Sequence, residues 1–272
     1  MKTLYVTDLD GTLLNSKIMV SENSKEIINS LVEKGMSFTF ATARSLVSAK
    51  WVTSGLNIKV PVVVYNGAFI MDYNTGEVIH SCNFSHREVD FVTQKLKKYN
   101  LIPLVYSFIN GKECVSYNKN YVNDGTRIYL ESRKGDKRLT PLDSNRNLYD
   151  GEVFYFTIIS TEKELLPFYN EICKDENLPV TLQQDIYNEY FWCEIMPKNA
   201  SKAHGIGCLK EIMGFDKVVS FGDAQNDIPM FLNSQECYAV SNGVKELKDI
   251  STKEILSNDR DGVALWLKEN YK

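Results

Sequence analysis

Five short apolar runs, at residues 4–6, 36–41, 60–65, 218–221 and 238–240, alternate with stretches of helical periodicity. Runs of this length without polar alternation suit strands buried on both faces, as in a parallel sheet covered by helices. The intervening stretches carry helix signals. Asn23 followed by Glu26 reads as a capping box, Ile27, Ile28, Leu31 and Val32 form an apolar stripe, and Gly35 supplies the stop. Residues 45–54 predict a second helix ending near Gly55, and residues 201–213 another closed by Gly214. Pro229 opens a further helix, and residues 261–271 form the last.

The middle of the chain has a different texture. Residues 104–108, 113–117, 127–131, 153–160 and 181–185 alternate or are aromatic-rich, and helical patterns at 86–99 and 162–174 punctuate them. Residues 132–150 are charged and turn-rich, the pattern of a solvated loop. A block of antiparallel character inside a parallel α/β chain predicts an inserted domain. The expected division is a discontinuous α/β core of residues 1–83 and 190–272, with residues 84–189 inserted as a second α/β domain.

Bulk composition narrows the function classes. At 272 residues, 43% hydrophobic and 24% charged, the chain has the make-up of a folded globular protein of one large or two modest domains. A net charge of -4 argues against a nucleic-acid partner that needs a broad basic surface, but leaves room for a small anionic ligand. The six cysteines are scattered, with no CxxC pair and hence no local zinc-site spacing. Neither a signal peptide nor a membrane-length run is legible, so a cytoplasmic location with reduced thiols is expected, with no membrane partner.

The run at 4–6 ends in Asp8-Leu9-Asp10-Gly11-Thr12. Side chains alternate along a strand, so Asp8 and Asp10 start on one face if extension continues through both. Two like charges so close need a cation or a proton between them. A solvated turn explains Asp10-Gly11, but not a second carboxylate ending a buried strand. Three more polar clusters follow. Thr42 and Arg44 come directly after the 36–41 run, Ser201-Lys202-Ala203-His204-Gly205 opens a helix, and Gly222-Asp223-Ala224-Gln225-Asn226-Asp227 closes the 218–221 run. Singly, Thr42 reads as a helix cap, Lys202 as a solvated helix residue, and Asp223 and Asp227 as turn and cap residues. Together they converge on the C-terminal edge of a parallel sheet, where open α/β folds bind ligands.

Asp8-x-Asp10-Gly11-Thr12, Thr42, Lys202 and Gly222-Asp223-x-x-Asn226-Asp227, in this order, resemble the haloacid dehalogenase (HAD) superfamily of phosphohydrolases. The long insertion between Thr42 and Lys202 resembles the α/β cap of its Cof-type branch. The resemblance implies a Rossmann-like core and a Mg²⁺-dependent phosphatase for small phosphorylated metabolites, sugar phosphates among them. Asp8 would attack phosphorus to form an aspartyl phosphate, and Asp10 would move protons to the leaving oxygen and from water. The resemblance places Mg²⁺ on the Asp8 carboxylate, the Asp10 carbonyl and Asp223. Gly11, Thr42, Lys202 and Asn226 would hold the phosphoryl oxygens. Asp227 would either accept from a metal-bound water or support Lys202.

Some positions carry more than one reading. Lys198 lies close to Lys202, but helix register favours Lys202, which opens the stripe of Ile206, Leu209, Ile212 and Met213. His204 has no role in the resemblance and reads as a packing or surface residue. Arg44 reads either as a substrate contact or as a surface arginine. In the insertion, Asn118, Tyr121, Asp124, Arg127 and Tyr129 form a polar-aromatic set suited to a sugar or heterocycle, with Tyr121 and Arg127 the candidates for substrate choice. A phosphomutase would share every motif, and a non-catalytic phospho-ligand-binding module is a further alternative. A dehalogenase leaves Asp10 and Asp223 without work. Oligomeric state is not legible.

Overall fold

The computed structural model describes residues 2–175, 178–185 and 188–271. The chain divides into two compact units, Met1–Ser81 with Asn199–Lys272, and Cys82–Lys198. The expected crossing at 83 lies close to the first boundary. The second falls later than the expected 190, because the strand that follows it belongs to the inserted sheet.

The first unit contains, in chain order, β1 (Thr3–Thr7), α1 (Glu22–Glu33), β2 (Ser37–Phe40), α2 (Leu46–Val52), β3 (Val62–Val64), β4 (Phe69–Met71) and β5 (Val78–Ser81). The inserted unit contains α3 (His86–Lys98), β6 (Leu104–Ile109), β7 (Lys112–Asn118), α4 (Asp124–Ser132), β8 (Leu139–Leu142), β9 (Glu152–Ser160), α5 (Glu162–Ile172), β10 (Val180–Gln184) and β11 (Phe191–Ile195). The chain then returns through α6 (Lys202–Met213), β12 (Lys217–Gly222), α7 (Ile228–Leu232), β13 (Glu236–Val240), α8 (Lys245–Ile250), β14 (Lys253–Ile255) and α9 (Gly262–Asn270).

The parallel sheet of the first unit runs β14-β13-β12-β1-β2. From β1 the chain moves to one side through β2, and from β12 to the other through β13 and β14. The β1/β12 pair is therefore the switch point of the sheet, where a crevice opens beyond the strand ends. Leu4, Val6, Val218 and Phe221 are almost fully buried in this pair. Full burial of each stabilises by about 1.5–3 kcal/mol, which accounts for the unbroken apolar runs.

The run at 60–65 departs from the expected parallel strand. Its β3 forms an antiparallel sheet with β4 and β5, and a parallel bridge from Ala41 to Val63 links it to the main sheet. The first helix is also capped differently. Ser21, not Asn23, accepts from the Ser24 amide, while Asn23 donates to Asp261.

The inserted unit holds a sheet ordered β10-β11-β9-β6-β7-β8, antiparallel except for β7 and β8. Its core packs Phe156, Phe168, Leu165 and Val105. Two expectations fail here. Residues 127–131 are helical, within α4: Asn123 caps it, and Gly125, Thr126 and Tyr129 are buried at helical spacing. The short apolar run Ile128-Tyr129-Leu130 mimics a strand, but burial follows helical spacing and leaves Ile128 exposed. Residues 132–150 are not wholly loop, because β8 pairs with β7 there.

Candidate active site

Asp8 sits one residue past β1, and its amide still donates to the Phe221 carbonyl of β12 at 2.9 Å. Its side chain therefore emerges at the switch point. Beyond it, residues 9–13 make a wide turn closed by the Leu14 amide on the Leu9 carbonyl at 2.9 Å. Gly11 takes φ +78° in this turn, and a Cβ there would collide with the Asp223 carboxylate. Only glycine gives both that conformation and that approach.

Asp223 follows β12, and its Oδ1 accepts from the Thr12 hydroxyl at 2.7 Å. Asp227 is fully buried: its Oδ2 accepts from the amides of Asp223 (3.0 Å) and Ala224 (3.1 Å), and its Oδ1 from Lys202 (2.7 Å). Lys202 Nζ also donates to Asp8 Oδ1 at 2.6 Å. Both oxygens of Asp227 are thus committed to Lys202 and backbone amides, which favours its supporting reading. Lys202 is 2% exposed whereas Lys198 is exposed, as helix register required. Ser201 caps α6, and a side chain at Gly67 would strike the Ser201 carbonyl, so the ammonium enters on a tightly seated helix start.

One carboxylate oxygen from each of Asp8, Asp223 and Asp227 lies within 4.8 Å of the other two. Repulsion at that distance is on the order of 3 kcal/mol per pair at a protein-like effective dielectric. With all three carboxylates ionised against the one ammonium bonded to them, the cluster carries two uncompensated negative charges. Burial pushes the Asp8 carboxyl well above its usual range; Lys202 opposes this, while Asp227 and Asp223 add to it. Asp223 is pushed up to about 6, mainly by burial, against the Thr12 hydrogen bond. Burial alone would lower Lys202, but the charges of Asp227 and Asp8 outweigh it and hold the ammonium protonated. An all-oxygen set with this excess charge fits a hard divalent cation such as Mg²⁺.

Asp10 stands apart from the cluster. Its side chain is half exposed and takes a two-bond grip from Arg44, which also donates to Ser48 at 2.9 Å. Thr42 is fully buried, and its hydroxyl oxygen accepts the Arg44 amide at 3.1 Å, leaving the hydroxyl proton to donate. Asn226 is exposed on the turn Gln225–Asp227. The sequence reading missed Asn242, which donates to the Gly11 carbonyl at 2.7 Å. Its signal was available, since Ser241-Asn242-Gly243 is another polar cluster directly after a parallel strand.

In the inserted unit, Tyr121 is exposed and Arg127 pairs with Asp124 on the exposed face of α4. Asn118 and Tyr129 do internal work instead. Asn118 is buried and donates to Asn145, and the Tyr129 hydroxyl bonds that of Tyr106.

A family model described as haloacid dehalogenase-like hydrolase matches residues 5–267. A Buchnera aphidicola (subsp. Baizongia pistaciae) protein that carries a phosphatase designation is 29% identical, over 100% of this chain and 99% of its own. The 5-amino-6-(5-phospho-D-ribitylamino)uracil phosphatase YitU of Bacillus subtilis is 25% identical, over 98% and 97% of the two chains. The crystal structure of TM0651 from Thermotoga maritima superposes with a TM-score of 0.78 at 26% identity, covering 100% of this chain and 98% of that one. The chain belongs to the haloacid dehalogenase-like hydrolase family, in its Cof-type branch.

Proposed function

We propose that this enzyme, a phosphoric monoester hydrolase, requires Mg²⁺ and cleaves small phosphorylated metabolites through an aspartyl phosphate on Asp8. The observation that carries the reading is the inequality of its two leading carboxylates. Asp8 is buried on Lys202, whereas Asp10 is half exposed and held by Arg44. This inequality supports reading Asp8 as the nucleophile and Asp10 as the proton carrier.

Asp8, Asp223 and the Asp10 carbonyl would hold Mg²⁺, which when bound offsets the charge of carboxylate and phosphate together. Asp8 forms a bond to phosphorus in line as the bond to the ester oxygen breaks. Asp10 gives that oxygen its proton. Asp10, now ionised, takes a proton from a water that attacks the phosphoryl group, releasing phosphate and restoring both carboxyl groups. Lys202, Thr42, Asn226 and the amides around Gly11 bind the phosphoryl oxygens, and Asp227 orients Lys202. Arg44 positions Asp10 through its fork.

The substrate class is a phosphorylated sugar or polyol, with Tyr121 and Arg127 contributing to its choice. The named activity of the B. subtilis relative, on a phosphoribityl-substituted uracil, supports that class. No helix among the described residues is long and apolar enough to cross a membrane. A cytoplasmic enzyme with no nucleic-acid or membrane partner is the reading that composition favours.

Free phosphate released from a panel of phosphorylated metabolites, with Mg²⁺ or with EDTA, tests the proposal. Release that needs Mg²⁺ and disappears in Asp8→Asn is expected. An isomerised ester without free phosphate would indicate a mutase, and tight binding without turnover across the panel a binding module.

A further inference from the structure

Away from the acid cluster, the first unit brings His80 of β5 beside His204 and Cys208 of α6. His204 and Cys208 are four residues apart and share one helix face. Cys208 Sγ lies 3.4 Å from His204 Nε2, and the two imidazole rings are 6.2 Å apart between centres. One ligand atom from each of the three residues lies within 4.8 Å of the others, and all three side chains are half-buried. Zinc bonds of about 2.0–2.1 Å to nitrogen and about 2.3 Å to sulfur, at a tetrahedral angle, put those atoms about 3.6 Å apart. The His204–Cys208 pair already has that spacing.

We propose that His80, His204 and Cys208 form a binding site for a thiophilic transition-metal cation of the zinc class, with a fourth position left to water. Two imidazoles and a thiol suit such an ion, whereas the oxygen-only cluster at Asp8 suits a hard one, so the two sites select different metals. As the metal–sulfur bond forms, the thiol proton passes to solvent, one per ion, and no redox change is needed. The bound ion would tie β5 to the first turns of α6, the helix that presents Lys202.

Cobalt(II) is the probe, added to the full chain saturated with Mg²⁺. A thiolate-to-cobalt absorption band saturating at one equivalent is expected, with one proton released per ion, displacement by Zn²⁺ and a rise in unfolding temperature. The band disappears in Cys208→Ser, and affinity falls at least about tenfold in His80→Gln. Circular dichroism checks that each variant is folded; His80→Gln, on an edge strand, serves if Cys208→Ser misfolds. Absence of a thiolate band in the wild-type protein overturns the site. So does a band unchanged in Cys208→Ser, or cobalt affinity unchanged in His80→Gln.

Discussion

Arg44 grips both oxygens of Asp10, with Nη2 on Oδ1 at 2.6 Å and Nε on Oδ2 at 2.7 Å. A fork of this kind fixes the plane of the carboxylate as well as its position. Lysine carries the same charge but cannot supply the second, parallel bond. Arg44→Lys should therefore lower kcat by about tenfold, part of the 10²–10⁴ available from a well-placed proton carrier. The pair is exposed enough that stability should change by only about 0–1 kcal/mol. Steady-state kinetics beside urea denaturation separate the two effects, and an unchanged kcat removes Arg44 from the proton-transfer step.

Lys202 is the sole ammonium bonded within the acid cluster among the described residues, so its loss is a different event. Lys202→Met leaves Asp8 and Asp227 buried without their cation. Breaking such a pair costs about 3–5 kcal/mol. The loss should be largest in EDTA at neutral pH and smaller with saturating Mg²⁺. Lys198→Met, at an exposed position, should be close to neutral. Equal denaturation midpoints for both variants in EDTA would contradict the assignment.

The contrast between these lysines shows what could be read from sequence. Lys202 opens an apolar helical stripe and Lys198 does not, so register alone separated them. Likewise, β1 and β12 were legible because both faces are buried, which removes polar positions from the run. Burial on one face was harder to read. In α4, Ile128-Tyr129-Leu130 is a short apolar run that reads like a strand, and Asn123 on the Thr126 amide reveals the helix start. The Ser21 cap was hidden for another reason: it is fixed by Asp261, which accepts from Ser21, Ser24 and Asn23 across 240 positions or slightly fewer. No local pattern encodes that contact. The His80–His204–Cys208 group is invisible in the same way, since its cysteine spacing matches no local motif.

Asp223 gives the ion-free protein a pH signature. Its folded pKa is raised to about 6 from an ordinary 3.8, chiefly by burial. Between these values the folded state holds more protons than the unfolded one, so stability falls as pH rises through that window. Full passage is worth about 3 kcal/mol for this group. In EDTA, the stability difference between wild type and Asp223→Asn should shift by that order between pH 4 and pH 7, with the wild type losing ground. Mg²⁺ binds the ionised form, so the rise in unfolding temperature that it gives should grow over the same window. A magnesium effect independent of pH would argue against this cluster as its site.

Gly11→Ala joins backbone and metal-site geometry in one change. At φ +78° a side chain costs on the order of 1–2 kcal/mol, and the new methyl displaces Asp223 as well. Isothermal titration should show weaker Mg²⁺ binding, beyond what the loss of stability alone would give. Unchanged affinity would mean that Asp223 is not a ligand.

The location of the phosphoryl group during turnover tests the mechanism most directly. Asp10→Asn should slow both half-reactions, but formation of the intermediate least for an ester whose leaving group needs no proton, so acid quench of that variant during turnover of an aryl phosphate such as p-nitrophenyl phosphate, followed by peptide mass mapping, should find a phosphoryl group on Asp8. Its absence from every peptide, or its presence on a residue other than Asp8, would contradict the nucleophile assignment.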